Sequence, residues 1–252
     1  MPLWLLKQLE RGAKVTLVNE IGPTGQIVCV EHVANETAGI LPVLAHLCEQ
    51  DSALSKVFLC HPGVKHVVKM AREGGFCGYR NIQMMISFLQ ATTAPGSEHF
   101  PGRIPSILRL QDLIEEAWDK GINSAGRIET GGIRGTRKYI GTPEASTCRS
   151  LSRVMLTSQR HKHYWSGRGS GTTSFGYSLP TLRKEANCKL RCEANAFNAI
   201  DKTPVYRNVL EAVAEYFLAG VTEPLQKVYK TSLPPIYFQH PGSPTLCSRA
   251  DE

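Results

Sequence analysis

Residues Gly74 to Leu89 read Gly-Gly-Phe-Cys-Gly-Tyr-Arg-Asn-Ile-Gln-Met-Met-Ile-Ser-Phe-Leu. Ile82, Met85, Ile86 and Leu89 recur at helical spacing, and the glycines ahead of them mark a turn outside the same helix. The chain must therefore bury one face of a helix that starts at or near Cys77. At that position the unpaired N–H groups and the positive end of the helix dipole favour a thiolate. Gly78 leaves room for a carbonyl group to approach. On these residues alone Cys77 is either a nucleophile or a small buried hydrophobe, the usual fate of a free cysteine.

A chain of 252 residues with 42% hydrophobic composition can build one sizeable core or two small ones, and a globular α/β or α+β protein is expected. The formal charge of +7 raises nucleic-acid binding as a class. Its location argues against that class for the chain as a whole. Residues 146 to 191 hold nine of the 29 basic residues and one of the 22 acidic ones, and the remainder is close to neutral. Eight scattered cysteines without a secretory segment ahead of them suit a reducing cytoplasm or nucleus better than a disulfide framework. No apolar run approaches membrane-spanning length, so no membrane partner is expected.

The chain begins with a predicted helix over residues 2 to 11, closed by Gly12. Strands over Lys14–Val18 and Gln26–Val30 flank the turn Gly22-Pro23-Thr24-Gly25 and form a candidate hairpin. A helix is predicted over Thr37–Gln50 with Pro42 in its first turn, then a short apolar segment over Ser55–Leu59. Cys60 and His61 would point apart in a strand, so both are read as structural, and His66 as a half-buried strand or turn residue. Ser106 or a neighbour caps an amphipathic helix carrying Ile107, Leu110, Ile114, Ala117 and Trp118, which stops at Gly121. Its acids Asp112, Glu115 and Glu116 read as a solvated face. Residues Glu129 to Ala145 lack a Walker ending and read as a surface loop.

A helix over Pro204–Leu218 and a strand led in by Pro234-Pro235 over Ile236 to His240 complete the regular elements. Between them and Ala145 lies a segment, Ser146 to Arg191, with no sustained apolar period and a low-complexity run at Ser166–Ser174. Three readings compete for it. It is a basic insert with Tyr164, Trp165, Phe175 and Tyr177 as stacking groups for RNA, a zinc site at His161, His163, Cys188 and Cys192, or sequence foreign to the fold, such as translated intron. The poor spacing of the histidines and cysteines disfavours metal, and the abrupt change in charge favours the last.

The string Gly-Phe-Cys-Gly-Tyr-Arg-Asn-Ile-Gln-Met at 75–84 resembles the active-site signature of the cysteine peptidases that act on ubiquitin-fold modifier and, in one branch, on polyubiquitin. The likeness runs to about Ala145 and resumes at Cys192. It implies an α+β, papain-like fold with Cys77 as nucleophile, and, since the resembling proteins carry helices ahead of the active site, a longer ancestral domain around Met1. It also implies peptidase segments at 1–145 and 192–242, followed by a non-family tail at 243–252; the basic, low-complexity insert at 146–191 between them is expected from its composition to be disordered. Partners are then ubiquitin or ubiquitin-fold modifier and their conjugates, with no cofactor and no metal.

The resemblance also exposes a gap. A cysteine peptidase needs a base within reach of the thiol and a third group to orient it. The resembling branch carries Gln-His-x-Gly-His-Ser-x-Thr, in which the second histidine is the base and the glutamine helps form the oxyanion hole. This chain has Gln239-His240-Pro241-Gly242-Ser243-Pro244-Thr245, with Ser243 in place of the base, and the aspartate of the next strand has no counterpart. Only Cys77 and Gln239 carry over, and the C-terminal part of the sheet is expected to be missing. His240 is the nearest substitute base, although strand alternation turns it to the face opposite Gln239. His61 and His66 are further candidates.

Overall fold

The computed structural model describes residues 1–141, 144–145, 175–181, 191–197, 205–221, 226–240, 243–247 and 249–251. Helices α1 (Leu3–Gly12) and α2 (Ile40–Gln50) flank a hairpin of β1 (Val15–Ile21) and β2 (Ile27–Val33) and the two-residue strand β3 (Glu36–Thr37). Strands β4 (Val57–Leu59) and β5 (His66–Val67) precede α3 (Cys77–Thr92), α4 (Ile107–Asp119) and α5 (Ala125–Thr130). Strands β6 (Phe175–Thr181) and β7 (Arg191–Phe197) follow, then α6 (Val205–Leu218), β8 (Val228–Lys230), β9 (Ile236–His240), β10 (Ser243–Cys247) and β11 (Arg249–Asp251).

Two small sheets carry the body. One is antiparallel in the order β10-β9-β6-β7, and the other, β11-β4-β8, pairs β4 parallel to β8 and antiparallel to β11. Val57, Phe58 and Leu59 are all buried because β4 is flanked on both edges and packs against α2 and α6. A strand covered on both faces reads as an unbroken apolar run, as this one does. The mixture of helices with small sheets agrees with the expected α+β class.

Helix α3 runs through the middle of the core and touches α4, β5, β9 and β10. The periodicity of Ile82, Met85, Ile86 and Leu89 accounts for one face. The opposite face is buried as well, by residues that read as polar: Arg80, Asn81, Gln83 and Ser87. Three of these meet partners. Gln83 donates to the Pro105 carbonyl at 2.7 Å, and Ser87 Oγ accepts from Lys65 N–H at 3.0 Å while donating to the Met84 carbonyl. Arg80 is bound twice by the buried carboxylate of Glu73. Polar groups so satisfied can be buried without a large desolvation penalty, which is why hydropathy alone missed this face.

Several expectations are corrected. Helix α2 starts at Ile40 rather than Thr37, because Gly39 is left-handed (φ 72°) and Thr37 is paired to His66. Residues Glu129 to Ala145 are not simply a surface loop: Ile133 and Ile140 are core residues. Glu115 is not on a solvated face; it is buried and bonded to that same loop. Strand β6 lies within the segment 146–191, and β10 and β11 lie within residues 243–252. The register of β9 with β10 joins Ser243 to His240 and Cys247 to Ile236.

Candidate active site

Cys77 is the first residue of α3, partly exposed and in no disulfide. The turn that delivers it is locked from both sides. Phe76 and Tyr79 are fully buried and meet edge to face at 5.6 Å, anchoring the start of the helix in the core. Behind them, Glu73 and Arg80 form an ion pair that is sealed from solvent. Arg80 also reaches Gln83 Oε1 at 2.9 Å, and with the Asn35 amide turned to donate to the Gly12 carbonyl, its oxygen accepts from Arg80 at 2.6 Å. A charge buried this deeply is tolerated only when paired and hydrogen-bonded, so the pair fixes the approach to Cys77.

The other wall of the turn is the glycine-rich stretch 131–141, held in place by α4. Gln111, fully buried, accepts from Gly135 N–H at 2.9 Å and donates to the Thr136 carbonyl at 3.1 Å. One turn further along, Glu115 accepts from the N–H groups of Ile133 (2.7 Å) and Arg134 (2.9 Å) and pairs with Arg127 at 3.0 Å. Burial pushes the Glu115 carboxyl up, but these two N–H bonds and the charges of Arg127 and Arg134 outweigh it and hold it below its ordinary value. The loop so fixed carries Arg137, Tyr139 and Ile140 onto the turn. A Cβ on Gly75 would lie 3.0 Å from the Tyr139 ring, and one on Gly78 would lie 2.9 Å from the Ile140 carbonyl oxygen. The absent side chain of Gly78 therefore makes room for the protein's own loop. The expected approach of a substrate carbonyl over Gly78 is blocked there by Ile140.

Strand β9 reaches the same place. Ile236 and Tyr237 are fully buried, and the Tyr237 hydroxyl would be 3.2 Å from a Cβ on Gly78. This hydroxyl has no hydrogen-bond partner among the described residues. Glu144, buried and accepting from Gly141 N–H at 2.8 Å, stands near enough for its charge to act on Tyr237. Neither Tyr237 nor Glu144 was found from the sequence. An aromatic and an acid beside prolines give no pattern that separates a site residue from a core residue.

Gln239 and His240 lie two and three residues beyond Tyr237 on β9, and Ser243 opens β10, which lies against α3. Their side chains lie outside the described residues. The other two histidine candidates are placed elsewhere. His61 accepts from Gly63 N–H at its Nδ1 and packs edge-on against Phe88, which is roughly 16 Å along α3 from Cys77 at 1.5 Å per residue. His66 is exposed on β5, next to Lys65, whose N–H meets Ser87 ten residues past Cys77. Both are remote from the sulfur. The zinc candidates His161, His163, Cys188 and Cys192 also lie outside the described side chains.

The family model of Peptidase family C78 matches residues 53–167, a span that contains Cys77 and the whole loop over it. Zinc finger-containing ubiquitin peptidase 1 of Homo sapiens is 27% identical over 210 residues, covering 82% of this chain and 30% of that protein. The Bos taurus protein of the same name is 26% identical over 215 residues, covering 84% and 31%. Ubiquitin carboxyl-terminal hydrolase mug105 of Schizosaccharomyces pombe is 41% identical over 74 residues, covering 29% and 30%. The chain thus spans less than a third of the length of these curated relatives.

Proposed function

We propose, from the match of residues 53–167 to the model of Peptidase family C78, that this chain is a thiol-dependent isopeptidase directed at ubiquitin or a ubiquitin-fold modifier, with Cys77 as nucleophile. The single observation that carries the reading is the position of Cys77: partly exposed at the N-terminus of α3, on a turn held by a buried ion pair and by the α4-pinned loop. The positive helix end favours the charged sulfur, and the N–H of the partly exposed Cys77, which has no intrahelical acceptor, can bind the oxyanion. The names of the relatives support the substrate class.

In the reaction, the Cys77 sulfur attacks the isopeptide carbonyl, the tetrahedral oxyanion collapses, and the lysine amine leaves with a proton. Water then hydrolyses the thioester. Gln239 on β9 is assigned to the oxyanion, within a papain-like arrangement of α3 against the strand. The proton for the leaving amine is the weak point, since Ser243 stands where the resembling branch has its base and His240 is the remaining candidate on β9. Loss of general acid–base assistance costs about 10²- to 10⁴-fold in rate. The chain is therefore expected to form a covalent adduct far more readily than it turns over.

A ubiquitin derivative with a C-terminal electrophile tests this directly. The full chain should become labelled at Cys77, Cys77→Ala should not, and isopeptide hydrolysis should be slow. Ser243→His is expected to raise hydrolysis without altering labelling. A folded chain that takes no ubiquitin or ubiquitin-fold-modifier probe, or that is labelled equally well as Cys77→Ala, would overturn the proposal.

A further inference from the structure

A buried hydroxyl without a partner costs about 1–3 kcal/mol, so such a group in a native fold calls for a reason. Tyr237 carries one, without a partner among the described residues, its ring sealed in the core and its oxygen against the first turn of α3. The space that admits it exists because residue 78 is a glycine, the residue directly after Cys77. Two independent features of the sequence, a glycine on the helix and a tyrosine on β9, thus bring an unused O–H donor beside the one described cysteine that opens a helix.

We propose that Tyr237 is a positioning residue for the nucleophile, its hydroxyl donating to the Cys77 sulfur when that sulfur carries negative charge. The inference rests on the reading of Cys77 as nucleophile and adds to it the source of support for the thiolate in a chain without the usual histidine. In the resting thiol state the donor has no partner among the described residues; ionisation at Cys77 supplies its acceptor. A hydrogen bond to a charged acceptor is about twice as strong as a neutral one, so the contact favours the charged state. Such a donor must keep its own proton, and it does. Burial, with the charges of Cys77 and Glu144, pushes the Tyr237 hydroxyl well above its ordinary value.

Ionisable groups among the described residues lie around it. Cys77, the residue before Gly78 on α3, and Glu144, in the segment that follows the loop, are both near enough for their charges to act on it. Arg137 and Tyr139 lie across the glycines at 74 and 75, and the Glu73–Arg80 pair lies behind the turn. On β9 itself the neighbouring ionisable residue is His240.

The test compares the full chain with Tyr237→Phe, which keeps the ring and removes only the oxygen. Iodoacetamide alkylation would be followed across pH by mass spectrometry on the peptide containing Cys77, with the thermal midpoint recorded alongside. The expected result is an alkylation rate about tenfold lower in Y237F on the acidic limb of the profile, with equal rates on the alkaline plateau and a thermal midpoint unchanged or raised. Superimposed profiles would overturn the proposal. So would a lowered thermal midpoint, because it would mean that the hydroxyl is already satisfied in the resting protein. Failure of the proposed function reads differently: neither protein then takes the ubiquitin probe, whereas failure of this inference alone leaves labelling intact in both.

Discussion

Glu115 shows how a single side chain can transmit order to a site it does not touch. Its carboxylate holds the N–H groups of Ile133 and Arg134, and the loop so fixed places Ile140 over Gly78 and Tyr139 over Gly75. Because its folded carboxyl titrates below the ordinary value of 4.5, the unfolded chain binds more protons in the acid range. The stability it contributes is complete above that value and is lost as pH falls below it. Glu115→Gln, which cannot accept with the same charge, should cost about 1–3 kcal/mol at neutral pH. It should also flatten the fall in thermal midpoint between about pH 5 and about pH 3. A variant whose acid limb matches that of the parent chain would show that the loop is held by something else. None of this was legible in the sequence, where an acid on an amphipathic helix facing other acids reads as solvated.

At the scale of elements, what could be read was what local patterning dictates. The start of α3 at Cys77, the hairpin, the Ser106 cap whose Oγ accepts from Arg109 N–H, and β9 behind its prolines each have a period or a turn residue that specifies them. What escaped was tertiary: the polar face of α3, and a glycine-rich loop whose buried Ile133 and Ile140 are too sparse to make a period. The hairpin marks the converse case, an element formed locally that the core does not use. Strands β1 and β2 pair with each other, and none of their residues joins the core, while Ile21 and Ile27 are directly paired and 82% and 76% exposed. Ile21→Lys combined with Ile27→Glu should therefore leave the unfolding free energy from urea titration within about 0.5 kcal/mol of the parent value. A larger loss would mean that these side chains are covered in solution.

For the whole molecule the decisive question is whether the last ten residues belong to the fold. Read as sequence, they depart from the resembling family just where the base should be, and so look foreign. In the structure β10 pairs with β9 through five residue pairs and lies against α3, while β11 pairs with β4 through three. The two strands thereby tie the chain end to both sheets, one edge beside Tyr237 and the other beside Phe58. At roughly 0.2–1 kcal/mol per cross-strand pair, their removal should cost a few kcal/mol, a large share of the ~5–15 kcal/mol that holds a typical domain together. Ending the chain after residue 242 should therefore lower the urea midpoint. It should also bare β9 as an edge strand prone to self-association, which light scattering would register. If the shortened chain instead unfolded at the same midpoint and stayed monomeric, the tail would be an appendage. Cys77 and β9 would then hold their places without it.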